Sequence, residues 1–200
     1  MEHDEALRTA HRIVDDLHRR GHALRADIHA RFGRRALEVG LRHRLVRNLA
    51  QRGVPLCVLG VKGREHVGQS ESYQAPAPAV VLATIAQRIV IDEAERQGGR
   101  FVERLGRSLS HVVTASGESE FLLAQHQDFN DAHLVRRVAE LRRTVFVHHG
   151  TLVVYRYRPL AATSRLHREV LVEERSIVPL IERAHRDARK LLNPGEGAAA

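Results

Sequence analysis

The sequence contains little lysine and a single cysteine. Lys62 and Lys190 are the only lysines among 32 basic residues in a chain of 200. A restriction-type nuclease core requires a carboxylate two residues before a lysine, and neither lysine has one there. Because Cys57 is the only cysteine, an intramolecular disulfide is excluded and a reducing cytoplasm is favoured. The positions of the two lysines argue against a nuclease of that type, and the single cysteine argues against a secreted protein stabilised by internal disulfides.

Long apolar runs and catalytic motifs are also absent. Residues 80–91 form the longest apolar run, which polar side chains interrupt and which is shorter than the roughly 18 residues of a membrane span. There is no GxxxxGK, GxSxG, HExxH or GxGxxG sequence. The 14 histidines lack metal-ligand spacing, since the adjacent His148 and His149 would point to opposite faces of a strand. The sequence therefore predicts a soluble, non-enzymatic protein without a cofactor, a metal or a membrane contact.

Positive charge is abundant, and it is concentrated near the start of the chain. The net charge is +8 and the isoelectric point is about 10.8. Residues 31–53 alone carry seven arginines and one acid. Arginine suits bidentate contacts with phosphate and with guanine, so this segment favours a nucleic-acid partner. A solvated basic helix face is the alternative interpretation.

The stretch from Ala23 to Gly53 predicts a helix-turn-helix. Apolar residues from Leu24 to Phe32 indicate a short helix, and Gly33 supplies the turn because glycine readily adopts positive φ. A second helix is predicted from there to Gly53, with Gly40 as a possible break. Its apolar stripe recurs every four residues, at Leu37, Leu41, Leu45 and Leu49.

The flanking segments predict a winged version of this motif. Asp4 to Arg20 has helical apolar spacing, and Val54 to Val61 is rich in residues that favour strands. A basic turn, Lys62 to Arg64, follows that strand and is placed to reach the DNA backbone. We expect Arg35 and Arg42 to enter the major groove. The predicted DNA-binding residues are Arg34, Arg35, Arg42, His43, Arg44, Arg47, Lys62 and Arg64.

The rest of the chain predicts a smaller α/β module. The polar segment Gln69 to Pro78 indicates a connector, so the domains are predicted at 1–70 and 71–192, with a disordered tail at 193–200. Helix Ala79 to Gln97 is apolar almost all round, which favours either a core position or the seam of a homodimer. Predicted elements follow it: strands Arg100 to Leu105 and Leu109 to Thr114, an ambiguous piece Phe121 to Gln125, a helix from Asn130 to Arg143, a hairpin of Val145 to His148 with Thr151 to Arg158, and helices Thr163 to Glu174 and Ser176 to Leu192.

Tyrosine and arginine alternate from Tyr155 to Arg158. On a strand, this alternation places Tyr155 and Tyr157 on one face. Such a face can stack the bases of single-stranded nucleic acid. Aromatic cross-strand packing in a half-buried strand explains the alternation equally well.

Residues 4–105 resemble winged-helix proteins of the plasmid replication-relaxation type. The segments LVRNLAQRGV, VLGVKGREHVG and VVLATIAQRIVIDEAERQG carry the resemblance. It implies a second module with a nuclease-like α/β fold that holds a Pro-Asp and Glu-containing strand pair. The corresponding region, including GTLVVYRYRP, lacks those acids. The resemblance therefore implies a DNA-binding protein that does not cut.

These patterns together predict a helix-rich α+β chain, with an N-terminal winged helix-turn-helix, then an α/β module with a β-hairpin and C-terminal helices. The predicted function is binding of double-stranded DNA by a cytoplasmic, nucleoid-associated homodimer, in plasmid or phage replication control or in transcriptional regulation. Two alternatives stay open at this point. One is an interaction or scaffold protein with a basic face, and the other is a single-stranded DNA or RNA binder.

Overall fold

The computed structural model describes residues 2–51, 54–69, 77–105, 109–125, 141, 149–157 and 172–192. The chain divides into two compact units: unit 1 is Met1–Val81 with Ala184–Ala200, and unit 2 is Leu82–Arg183. The prediction of a helix-rich α+β chain is confirmed, and a β-hairpin and a C-terminal helix are present. The winged helix-turn-helix stays a prediction.

The Met1–Val81 part of unit 1 contains four complete helices and a small antiparallel sheet among its described residues. The sheet has the strand order β1-β3-β2, and β2 forms a hairpin with β3 in which Gln51 pairs with Val54. The elements are α1 (Glu2–Arg20), β1 (Ala23–Leu24), α2 (Arg25–Phe32), α3 (Arg34–Arg42), β2 (Val46–Gln51), β3 (Val54–Leu59) and α4 (Val61–His66).

The core of unit 1 lies where the first three helices pack on this sheet. The helical spacing predicted for the first helix is confirmed, because its apolar residues Ile13 and Val14 are fully buried. Ile28 of α2 and Cys57 of β3 are fully buried in the same cluster. Burial of Cys57 agrees with a small apolar role for its thiol.

The long second helix predicted from Gly33 to Gly53 is wrong beyond Arg42. The chain turns at His43 and Arg44, where Arg44 adopts a φ of +58°, and it continues as β2. Strand pairing with β3 outweighs the helical leucine spacing, so Leu45 is buried in the turn and Leu49 lies on a strand. The predicted break at Gly40 is also wrong, because Gly40 lies within α3.

The predicted basic turn after the strand is also wrong. Strand β3 ends at Leu59, and Lys62 to Arg64 form the first part of α4. A hairpin is nevertheless present, because β2 pairs with β3 along its whole length. Its two connecting residues, at positions 52 and 53, lie outside the described residues.

Unit 2 is built on a five-stranded mixed sheet. Strands β4, β5 and β6 are antiparallel neighbours, whereas β6, β7 and β8 are parallel, so the spatial order is β4-β5-β6-β7-β8. Its strands are β4 (Arg100–Arg104), β5 (Leu109–Val113), β6 (Ser119–Ala124), β7 (Thr151–Arg156) and β8 (Val172–Ser176). Most of α5 (Pro78–Arg96) and the start of α6 (Val178–Leu192) also belong to unit 2, whereas α6 from Ala184 onward belongs to unit 1.

Helix α5 is covered by this sheet. Val90, Ile91 and Ala94 pack in one cluster with sheet residues such as Leu122 and Val153. The apolar character that suggested a dimer seam is therefore explained within unit 2. The homodimer stays a prediction without that support.

Two predicted elements in unit 2 are corrected. The sequence predicts a hairpin in which β7 pairs with residues 145–148. Instead, β7 pairs in parallel with β6 on one side and with β8 on the other, so neither edge of β7 is open to such a partner. The helix predicted over Thr163 to Glu174 is wrong at its end, because β8 begins at Val172. The ambiguous piece at Phe121 to Gln125 is mostly the strand β6.

Several predicted segments lie outside the described residues. They are residues 70–76 of the connector, nearly all of the helix expected at 130–143, the first hairpin strand at 145–148, most of the helix at 163–174, and the tail at 193–200.

Gln87 fixes α5 to the sheet. This fully buried side chain donates a hydrogen bond to the Leu122 carbonyl at 2.9 Å and accepts one from the Ala124 amide at 3.1 Å. Gln87→Leu leaves both backbone groups without this partner, so we expect a loss of about 2 kcal/mol in the free energy of unfolding. Urea denaturation followed by circular dichroism measures it. Gln97, exposed in the turn directly after this helix, is the control, and equal losses in Gln87→Leu and Gln97→Leu would contradict the assignment.

Candidate nucleic-acid interface

Helix α3 has one buried face and one charged face. Its buried residues, Leu37 and Val39 among them, pack into the core of unit 1. A Cβ on Gly40 would lie 3.2 Å from Val46 and 3.6 Å from Ala10, so glycine permits close packing of this face. The exposed residues are Arg34, Arg35, Glu38 and Arg42, which fall within about 100° of one another around the helix axis.

The turn before α3 depends on Gly33. This residue alone separates α2 from α3, and its φ of +82° lies in the region that favours glycine. Its amide donates to the His29 carbonyl at 3.0 Å, which ends α2. The predicted tight turn at Gly33 is confirmed, and it places the arginine-rich start of α3 directly after α2.

Arg34 and Glu38 form an ion pair on the exposed face. Arg34 Nε lies 2.7 Å from Glu38 Oε1, and 81% and 50% of the two side chains are exposed. The hydrogen bond from Arg34 lowers the pKa of the Glu38 carboxyl, against the opposing effect of desolvation. Glu38 is therefore ionised at neutral pH and acts only as a hydrogen-bond acceptor.

Arg25 adds a further charge that the sequence patterns did not single out. It is exposed at the start of α2, and its charge lowers the pKa of Glu38, as does that of Arg42. A carboxylate on α3 thus lies in the field of arginines from two helices. Arg25 belongs to a different predicted helix from Arg42, and only the packing of α2 against α3 brings their charges to one place.

The other predicted contact residues lie off the exposed face of α3. His43 caps the end of α3 and is half-buried, whereas Arg44 is exposed in the following turn. The Lys62 amide donates to the Arg44 carbonyl at 3.1 Å, so these two exposed cations are close neighbours. Arg47 is exposed on β2, and Arg64 is half-buried on α4.

Tyr155 is part of the core of unit 2. Only 2% of it is exposed, and its ring packs in the cluster formed by α5, α6 and the sheet. Burial raises the pKa of its hydroxyl. The interpretation of Tyr155 and Tyr157 as a stacking face is therefore wrong for Tyr155, because a buried ring cannot receive a base. Tyr157 is partly exposed at the end of β7.

A cavity of about 300 Å³ in unit 2 has a charged wall. Arg175 on this wall donates to Glu120 at 3.0 Å, to Glu173 at 2.8 Å and to the Tyr155 hydroxyl at 3.3 Å. Desolvation lowers the pKa of Arg175, but the hydrogen bonds to Glu173 and Tyr155 raise it above its ordinary value. The guanidinium is thus permanently charged and held by internal partners. Within the described ranges, no three His, Cys, Asp or Glu residues are grouped to hold a metal ion.

No helix in the described part of the chain is long and apolar enough to cross a membrane. Comparison of the chain with models of protein families, with curated proteins and with solved structures returned no match.

Proposed function

We propose that this chain binds double-stranded DNA through unit 1 and does so without catalysis. The observation that carries the proposal is the exposed face of α3, where Arg34, Arg35 and Arg42 project from a helix whose other face is locked into a core. Such a helix presents its side chains rigidly, as reading of base edges in the major groove requires.

The surrounding elements support a winged helix-turn-helix. A leading helix, two helices joined at Gly33, and the β2–β3 hairpin follow one another in unit 1. These are the parts that the resemblance to replication-relaxation proteins implies. Replication control and transcriptional regulation in the cytoplasm both remain within this proposal.

A second group of cations is suited to the DNA backbone. Arg44, Lys62 and Arg47 are exposed on the turn after α3, on α4 and on β2. Exposed arginine and lysine side chains commonly hold phosphates, which fix the protein on the duplex without reading sequence. The half-buried Arg64 and His43 complete this group.

The absence of catalysis is supported by the sheet of unit 2. The interior strand β7 runs from Thr151 to Arg156 and carries no carboxylate at the place where the resemblance implies acids. Arg156 is buried there, and its Nε donates to Gln125 at 3.1 Å. A buried cation at this position does not bind a catalytic divalent ion.

Fluorescence anisotropy tests the proposal. A labelled random sequence of about 30 bases is presented as duplex and as single strand at about 50 and 200 mM salt. Contacts with three to six phosphates predict a slope of log K against log salt of about −3 to −5 for the duplex. Weaker binding of the single strand is expected, because Tyr155 offers no stacking face. Failure of a folded sample to bind the duplex at either salt would refute the proposal and favour a protein partner for the basic face.

A further inference from the structure

We infer that the α3 face reads guanine and cytosine, so the DNA target of this protein is rich in G·C pairs. The inference rests on the proposed function and adds the base preference of the α3 face. The side chains exposed on this face are three arginines and one glutamate, as α3 ends at Arg42.

Each of these side chains has a preferred base in the major groove. Arginine donates a bidentate pair of hydrogen bonds to O6 and N7 of guanine, and a carboxylate accepts from the N4 amine of cytosine. Glu38 is suited to the second contact because its lowered pKa keeps it ionised and acceptor-only. No exposed residue of α3 is asparagine or glutamine, which pair with adenine, and none presents a methyl group to thymine.

The helix geometry places these contacts together. Arg35 and Arg42 are seven residues apart, so they point in nearly the same direction and are separated by about 10 Å along the axis. That separation corresponds to about three base-pair steps. Glu38 lies between them along the helix, and its Oε1 is 2.7 Å from Arg34 Nε. The face can therefore contact two guanines with a cytosine between them.

Sequence preference is measured by anisotropy with four duplexes of equal length. One contains only G·C pairs in mixed order, and one contains only A·T pairs. The third replaces guanine by 7-deazaguanine, which lacks the N7 acceptor in the major groove. The fourth replaces guanine by inosine, which lacks only the amine in the minor groove.

We expect the G·C duplex to bind at least about fivefold more tightly than the A·T duplex. The preference should fall to below about twofold with 7-deazaguanine and survive with inosine.

A charge-conserving variant identifies the residues that contact guanine. Arg35→Lys with Arg42→Lys keeps both positive charges but removes the planar fork that bonds guanine. We expect it to reduce the G·C preference, because lysine still donates to guanine but lacks the planar fork, while its affinity for the A·T duplex stays within about twofold of the original. The matched control is Arg8→Lys with Arg12→Lys, which changes two exposed arginines of α1 outside the proposed contact set and should keep the preference.

The outcomes separate this inference from the proposed function. Equal, salt-sensitive binding of G·C and A·T duplexes would overturn the inference and leave duplex binding in place. A preference that is lost with inosine but kept with 7-deazaguanine would also overturn it, because the minor groove would be read. A preference retained by the α3 lysine variant but lost by the control variant would overturn the assignment to α3. Binding of no duplex would overturn the proposed function together with the inference.

Discussion

Replacing Arg34, Arg35 and Arg42 together with alanine is expected to weaken duplex binding by at least about 100-fold. Each arginine that contacts a base edge or a phosphate contributes on the order of 1 to 3 kcal/mol, so three removals near the middle of this range exceed that factor even when they are only partly additive. All three side chains are exposed on α3, and the residues that hold the helix in the core are unchanged. The fold should therefore be retained.

Anisotropy with the duplex and circular dichroism of the free protein test this variant together. The matched control is Arg8→Ala with Arg12→Ala and Arg19→Ala, which removes the same charge from exposed positions on α1. Long-range attraction between a basic protein and DNA would be reduced equally by both variants. Contact through α3 predicts a much larger loss in the first. Equal losses in two folded variants would show that α3 is not the contact surface.

The elements of this fold that follow from the sequence are those with strong local signals. Helix α1 has regular apolar spacing, and α2 ends at a glycine that takes positive φ, so both were predicted within a few residues. Helix α5 and strands β4 and β5 were likewise expected near their observed limits. In each of these cases, local preference and tertiary packing favour the same structure.

The end of α3 did not follow from the sequence. Leu45 and Leu49 continue the four-residue spacing of Leu37 and Leu41, so the pattern indicates one helix. The chain leaves that helix because β2 pairs with β3, which is a non-local interaction that periodicity does not detect. Arg44 also takes a positive φ, which is uncommon for a residue other than glycine, asparagine or aspartate.

Strand β7 shows that residue alternation alone does not predict which side chains are exposed. The alternation of Tyr155 and Arg156 is typical of a strand with one face in water, but β7 is a central strand with both of these residues buried. Parallel central strands are covered on both faces, so alternation does not reveal which side chains are accessible. The exposed face of α3 was easier to predict, because Arg34, Arg35 and Arg42 lie close together in the sequence and opposite the apolar positions of the helix.

Gly63→Ala is expected to destabilise unit 1 by about 3 kcal/mol, although alanine is the better helix former. Gly63 lies in α4, where propensity alone favours the change by up to about 1 kcal/mol. An added Cβ would lie 2.1 Å from the Leu45 carbonyl oxygen and 3.4 Å from Val14. The first contact is with backbone, which cannot rotate away, so α4 or the segment after α3 must shift. Steric overlap therefore outweighs propensity.

The same shift would affect the proposed phosphate contacts. The turn after α3 is joined to the start of α4 by the hydrogen bonds from the Gly60 amide to the Leu45 carbonyl at 2.9 Å and from the Lys62 amide to the Arg44 carbonyl at 3.1 Å. Urea denaturation gives the stability of Gly63→Ala. Val61→Ala is the control, since Val61 is 51% exposed in the same helix and should change stability by less than about 0.5 kcal/mol. If Gly63→Ala were as stable as the unaltered protein, the close approach of α4 to Leu45 would be wrong, and Arg44 and Lys62 would lose the structural reason for acting together.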